Sequence, residues 1–322
     1  MSPKKKILFI CGSVNQTTML HATSSYLQEY DHYFTPYYTS GFNKLPLKLG
    51  LLNFSVLGGK LRKLTENYIN KHGLNMDYEG KNNDYNLIVT CSDLIVQKNI
   101  KNKKVVLVQE GMTDPENIAY HIVKFLNLPR YFGGGTASTG LSNAYDVFCV
   151  ASEGYKELFI KKGCQAEKIH VTGIPNFDNC ERYLNNDFPH KNYALVCTSD
   201  SRETYKTENR KKFILKSREI ANGKQMIFKL HPNENVSRAE REIKKWAPGS
   251  LILTSGNTNH MIANCDILIT KYSSVVYVGM ALGKKVHSLF NMDDLTKLKP
   301  MQNGGTSAKK IAGICKQFLN GQ

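Results

Sequence analysis

The stretch ILITKYSSVVYVGMALGKKV, residues 267–286, decides how the chain is read. Its apolar run at 267–269 predicts a buried strand, and Ser273 and Ser274 then open a predicted helix over 275–282. Gly283, followed by Lys284 and Lys285, ends that helix as a C-terminus should. A strand that delivers hydroxyls and unpaired backbone N–H groups to a helix start suits an anion, phosphate or diphosphate above all. Taken alone, the two serines serve equally well as helix caps.

Outward from this stretch the same grammar repeats. Apolar runs at 7–11, 87–90, 104–108, 147–151, 170–172, 193–197, 225–229, 251–253 and 285–288 predict strands. Amphipathic stretches at 18–29, 118–127, 153–162, 208–221 and 237–247 predict helices between them. Such alternation calls for parallel sheets with helices on both faces. The 322 residues exceed one ordinary core and fit two domains of roughly 150 residues each. Gly173 and Pro175 punctuate the segment 171–184, where a second β-α series prepares to start. The expected division is 1–172, 173–305 and a terminal helix within 306–322. Two Rossmann-like halves of this kind enclose a cleft at the carboxyl ends of their strands.

Composition excludes several classes. No apolar run reaches the length of a membrane span, and the short run at 7–11 is too brief for a signal peptide core. The eight cysteines include no C-x-x-C pair, which predicts buried free thiols and a cytoplasmic location. The formal charge of +16 asks for an anionic partner. Basic residues are spread along the chain without a nucleic-acid motif, so nucleic acid is not expected.

Two further strings stand where a ligand cleft needs them. In KLHPNENV, 229–236, Pro232 stops the strand and leaves Lys229 and His231 at its carboxyl end, as donors to phosphate or ribose. In VVLVQEGMTDPE, 105–116, Glu110 precedes Gly111 at a strand end, suited to deprotonate an acceptor hydroxyl. Each also has a purely structural reading, as a loop histidine or a capping carboxylate. Gly12 and Ser13 leave the first strand and join the same mouth, and His21 is a reserve candidate for the base. The glycine run 133–135 reads as a hinge or lid.

Together, Glu110-Gly111, His231-Pro232 and Ser273-Ser274 resemble, in order and placement, a pattern of the GT-B superfamily. The resemblance is to its branch of bacterial sialyltransferases, polysialyltransferases, capsule Kdo transferases and CDP-glycerol glycerophosphotransferases. It implies an α/β GT-B fold with two Rossmann-like domains facing each other across a cleft. It also implies that His-Pro and Ser-Ser hold the nucleotide and its phosphate, and that the residue before glycine is the base. Departures are plain: Gln109 stands where many sialyltransferases carry their base, and Val278 replaces a glutamate that grips ribose. The second departure favours a CMP- or CDP-linked donor over a UDP-linked one. Residues 231–236 and 171–173 are also similar to UDP-GlcNAc 2-epimerases, but Ser201 stands in TSDSRE, 198–203, where that family has histidine.

The expectation is an inverting transferase that moves a sugar or polyol phosphate from a nucleotide-activated donor to a cell-envelope glycan or glycolipid. It needs no metal and no cofactor beyond the donor. Two alternatives stay open: an epimerase-like isomerase or hydrolase, and a non-catalytic binder of nucleotides or polyanions. Residues 44–64 mix leucines with lysines and arginine, either to dock on an anionic membrane surface or as an ordinary helical connection.

Overall fold

The structure, a computed structural model, describes residues 3–40, 47, 49, 55–126, 128–133, 135–203 and 207–321. The chain divides into two compact units, Met1–Asp178 with Pro300–Gln322, and Asn179–Lys299.

The first unit is built on a six-stranded parallel sheet: β1 (Lys6–Cys11), β2 (Asp31–Pro36), β3 (Leu87–Thr90), β4 (Val105–Val108), β5 (Val147–Val150) and β6 (Ile169–Val171). The order is β2-β1-β3-β4-β5-β6, so the chain steps outward once and then returns past β1. That reversal lies between β1 and β3, the switch point at which ligands bind in open α/β sheets. β3, β4 and β5 are fully buried, mostly apolar runs, as a sheet covered on both faces requires. β2 was not expected; Phe34 on it stacks on Phe9 of β1 at 4.9 Å.

The helices of this unit are α1 (Val14–Ser24), α2 (Gly59–Lys71), α3 (Ile118–Phe125), α4 (Glu153–Lys162) and, from the far end of the chain, α10 (Ser307–Asn320). α10 buries Ala308, Ile311, Ala312, Cys315 and Leu319, and packs on α1 and β3. The division therefore falls at 178/179 and 299/300 rather than at 172/173 and 305/306. The cause is local: the Asp178 carboxylate accepts from Ser307 N at 2.9 Å, and the Asp178 carbonyl accepts from Asn303 N at 2.9 Å. Gly173, at φ +76°, leaves room for the Ser307 side chain, which a Cβ would meet at 2.4 Å.

The second unit holds five parallel strands: β7 (Ala194–Cys197), β8 (Met226–Lys229), β9 (Leu251–Leu253), β10 (Ile267–Ile269) and β11 (Lys285–His287), in the order β11-β10-β7-β8-β9. Its helices are α5 (Arg210–Ala221), α6 (Val236–Trp246), α7 (Thr258–Asn264), α8 (Val275–Ala281) and α9 (Met292–Leu298). Val196, Phe228 and Ile269 from the sheet pack with Ile214 of α5 and Ile243 of α6 into one core. Here the reversal lies between β7 and β10, beside the segment that carries Ser273 and Ser274.

All eight cysteines are buried and free. Among the described residues no helix is long and apolar enough to cross a membrane. Of the stretch 44–64, residues 44–46, 48 and 50–54 lie outside the described residues. Its last part begins α2, where Arg62 pairs with Glu66 at 2.9 Å and Thr65 and Ile69 further along are buried. Of the glycine run, Gly134 lies outside the described residues, and Gly135 (φ +91°) fits against Asp114, whose carboxylate accepts from Thr136 N at 2.8 Å.

Candidate active site

In the first unit the carboxyl ends of β1 and β4 meet around one carboxylate. Glu110 follows β4 and is partly buried. Ser13 Oγ donates to its Oε1 at 3.0 Å and Gln16 Nε2 to its Oε2 at 2.5 Å. Ser13 also caps α1, accepting from Gln16 N at 3.3 Å, so one hydroxyl fixes both the helix and the carboxylate. Burial pushes the Glu110 carboxyl above its ordinary value, against the opposing pull of Gln16 and Ser13.

Gly12 makes this arrangement possible. A Cβ there would sit 1.8 Å from Gln16 Oε1, inside the space of the amide that holds Glu110. Gly111 closes the turn through its carbonyl, which accepts from Gln109 Nε2 at 2.7 Å, while Gln109 Oε1 accepts from Ala151 N at 2.9 Å. Gln109 thus staples β4 to the end of β5 with both ends of its buried amide. Gln16 was not anticipated; the glycine and serine before α1 were the only signal in the sequence.

His21 does not share this site. It lies on α1 eight residues beyond Ser13, about 12 Å along the helix axis. Its Nδ1 contacts Tyr68 Oη at 3.1 Å, and its ring sits 5.2 Å from that of His72. Burial, and then His72, pull its pKa down. The reserve candidate for the base is a packing histidine.

In the second unit the three adjacent strands β10, β7 and β8 end side by side. With a spacing of about 4.8 Å per strand, the turns after β10 and β8 stand roughly 10 Å apart. The β8 turn carries His231, whose Nδ1 accepts from Asn233 N at 3.3 Å. That backbone bond needs an unprotonated Nδ1, so the assigned tautomer of the neutral ring carries its proton on Nε2 as a donor. Burial lowers the His231 pKa, and Asp200, with Oδ2 3.5 Å from Nδ1, opposes this only in part. Pro232 forms the turn that follows.

Lys229 departs from expectation. Its ammonium is buried and donates to the carbonyls of Leu230 at 2.8 Å and Thr254 at 3.4 Å, fixing the β8–β9 end rather than waiting for phosphate. A cation nearer the serine pair is Lys271, with a mostly buried side chain 3.5 Å from Glu208 Oε1. Ser273 Oγ reaches Val275 N only at 3.5 Å, and Ser274, the residue before α8, makes no side-chain cap bond. The serine pair is therefore a weak cap. Val278 is buried in α8.

Beneath the His231 turn lies a charged cluster that the sequence did not disclose. Glu208 and Glu234 have fully buried side chains, and Arg210 Nη2 reaches them at 3.1 and 2.5 Å. Glu234 also accepts from the Thr198 hydroxyl, which in turn accepts from His231 N at 3.2 Å. Arg202 pairs with Glu242 through two bonds of 2.8 Å. Among the described residues no group of His, Cys, Asp and Glu is arranged to hold a metal ion.

No family model matches the sequence, and no curated protein matches it either. Solved structures do match. UDP-GlcNAc 2-epimerase from Neisseria meningitidis bound to UDP-GlcNAc superposes with a TM-score of 0.60 at 13% identity, over 97% of this chain and 100% of that one. The wall teichoic acid polymerase TagF with CDPG gives 0.55 at 13% identity, over 100% of this chain and 90% of that one. The Anabaena protein HepE in complex with UDP and glucose gives 0.55 at 11% identity, over 99% and 100%. The fold is GT-B. These GT-B neighbours are similar in fold across the full chain, and each is named for a nucleotide or nucleotide-linked ligand.

Proposed function

We propose that the protein transfers a sugar or polyol phosphate from a nucleotide-activated donor, CMP- or CDP-linked rather than UDP-linked, to a hydroxyl of a cell-envelope glycan or glycolipid. The observation that carries this reading is Glu110: a carboxylate at the carboxyl ends of β1 and β4, held by two neutral donors and made more basic by burial.

In the reaction the acceptor O–H proton passes to the Glu110 carboxylate. The acceptor oxygen bonds to the transferred carbon or phosphorus as the bond to the nucleotide phosphate breaks. The electron pair leaves on that phosphate, a single displacement that inverts the reacting centre. Within the second unit, Nε2–H of His231, the hydroxyls of Ser273 and Ser274 and the Lys271 ammonium are the donors suited to hold a nucleotide phosphate. Lys229 holds the strand end under His231. The absence of a carboxylate at Val278 supports a cytidine over a uridine donor.

The epimerase reading is less well supported. Arg202 is paired with Glu242, and Glu203 Oε1 accepts from Asn235 N at 3.1 Å and pairs with Arg238. Release of free ManNAc from UDP-GlcNAc would establish it instead.

A thermal-shift panel of CMP, CDP, UDP, GDP and their sugars tests the proposal. A nucleotide at 100 times its dissociation constant stabilises by about 2.7 kcal/mol. CMP or CDP compounds are expected to give this shift, and His231→Ala to remove most of it. If no nucleotide moves the melting point, the proposal fails.

A further inference from the structure

The second unit is strongly basic on the side where α5 and α6 pack together. α5 carries five cations against one carboxylate, Glu219, and α6 four cations against two, Glu240 and Glu242. Each of these carboxylates already has a cation: Glu219 has Lys216 at 2.7 Å, Glu240 has Lys244 at 3.9 Å, and Glu242 holds Arg202 through two bonds of 2.8 Å. Lys211, Lys212, Arg218, Arg241 and Lys245 are exposed, and among the described residues no carboxylate pairs with them. None of the five takes part in the proposed transfer.

The chain's one tryptophan organises this seam. Trp246, half-buried at the end of α6, packs against the core of the unit. The Lys211 ammonium stands 4.5 Å from its ring centre and the Lys245 ammonium 4.8 Å, so each helix brings one charge to the same ring. Arg218 Nη1 donates to the Trp246 carbonyl at 3.4 Å. Positions 211, 215 and 218 share one side of α5, which places Leu215 between the cations. A cavity of about 600 Å³ opens along α5 beside them, lined by Lys211, Lys212, Leu215 and Lys216 together with Asn209 and Glu219. The ring fixes two ammoniums before any ligand arrives, so an anion that bridges them orders little on binding.

The other groups of the seam narrow its partner. Leu215 is 38% exposed, too little apolar surface to anchor the face in a bilayer. Trp246 is packed on the core and its ring is engaged by ammoniums, which makes it a poor platform for a stacked base. Charge in a row is what remains.

We propose that the seam between α5 and α6 binds a linear acidic glycan, a chain with one anionic group per repeat, through Lys211, Lys212, Arg218 and Lys245. Successive anionic groups of the chain meet successive cations along α5. That the polymer is a glycan rests on the transferase reading, in which a cell-envelope glycan is the acceptor; the charge and geometry of the seam do not. A chain held here is retained by contacts that the reacting groups do not make.

Polysialic acid, titrated into the intact protein at low salt by calorimetry with Trp246 fluorescence as the local signal, tests this. Saturable binding is expected, absent with uncharged dextran and weakening as salt rises. Lys211→Gln and Lys245→Gln are each expected to weaken it about fivefold, and the two together more than tenfold. Lys309→Gln makes the same charge change on α10 of the first unit and should leave the affinity unaltered. The melting shift caused by nucleotides should survive both seam substitutions, so the two kinds of binding fail separately. Polymer binding by a protein that no nucleotide stabilises would sink the transferase reading and support the seam. Absence of saturable binding at low salt, or equal weakening by Lys309→Gln, would overturn the proposal. So would tighter binding of duplex DNA, or of phosphatidylglycerol vesicles, through the same lysines.

Discussion

Replacing Glu110 by glutamine keeps the shape of the candidate base and removes its charge. Ser13 Oγ now donates to Oε1 at 3.0 Å, and the substituted amide oxygen preserves that bond. The new NH2 would face Gln16 Nε2, but turning the Gln16 amide over presents its Oε1, a buried oxygen with no partner at present. Both bonds therefore survive as neutral ones. A hydrogen bond to a charged group contributes about 1.5–3 kcal/mol and a neutral one about 0.5–1.5, and the loss is offset by no longer burying a carboxylate. Net stability should change by no more than about 1 kcal/mol at neutral pH. Loss of a general base costs 10²–10⁴ in rate, or roughly 2.7–5.4 kcal/mol in the barrier. Turnover of the donor identified by the nucleotide panel, measured beside urea unfolding, separates these magnitudes. The pH dependence adds a second reading. Glu110 is raised in the fold, so its contribution to stability is whole below the ordinary glutamate value of 4.5 and is lost as pH rises through the raised value. Glu110→Gln should gain stability relative to wild type over that interval. The acid limb of wild-type kcat/KM should likewise lie above the usual glutamate range. Retention of more than about a tenth of kcat in Glu110→Gln would refute the assignment of the base.

Gly12→Ala drives a Cβ into the Gln16 amide and should lower kcat roughly tenfold through loss of the Glu110 contact, with folding retained by circular dichroism. Arg210→Met removes the nearest cation from the buried Glu208 and Glu234, leaving them only the longer contacts to Arg202 and Lys271, and should destabilise the second unit by about 3 kcal/mol, read from the urea midpoint. Truncation after residue 305 removes Ile311 and Leu319 from the core of the first unit, at about 1.5–3 kcal/mol each, and limited proteolysis should then degrade that unit while the second survives.

The sheets were legible because parallel strands buried on both faces read as unbroken apolar runs, as at 87–90 and 105–108. β2 was not, since DHYFTP mixes polar and apolar residues and pairs along its length with β1 alone at the sheet edge. The terminal helix was legible, but its allegiance was not, because Asp178 and Ser307 meet across 129 positions of sequence. Glu110 could be picked out as an acid at a strand end before glycine. Gln16 could not, since its role exists only where the turns after β1 and β4 converge. Lys229 misled for a physical reason: a lysine at a strand end can bond its own carbonyls as readily as a ligand, and nothing in its neighbours in sequence decides which.

The same limit explains why buried carboxylates serve two opposite ends in this protein. Glu234 and Glu208 are surrounded by Arg210, Arg202 and Lys271, and that pairing fixes the turn bearing His231; burial still pushes the Glu234 carboxyl up, with the Thr198 hydroxyl and the Arg210 guanidinium pulling against it. Glu110 receives only a hydroxyl and an amide, and no cation among the described residues pairs with it. A carboxylate that must accept a proton has to be held without being neutralised, and neutral donors achieve that where a guanidinium would depress its basicity. Introducing a cation beside Glu110, as in Gln16→Lys, should therefore lower its pKa, strengthen the local fold and slow the reaction. A faster variant would show that Glu110 works by charge alone and not as a base.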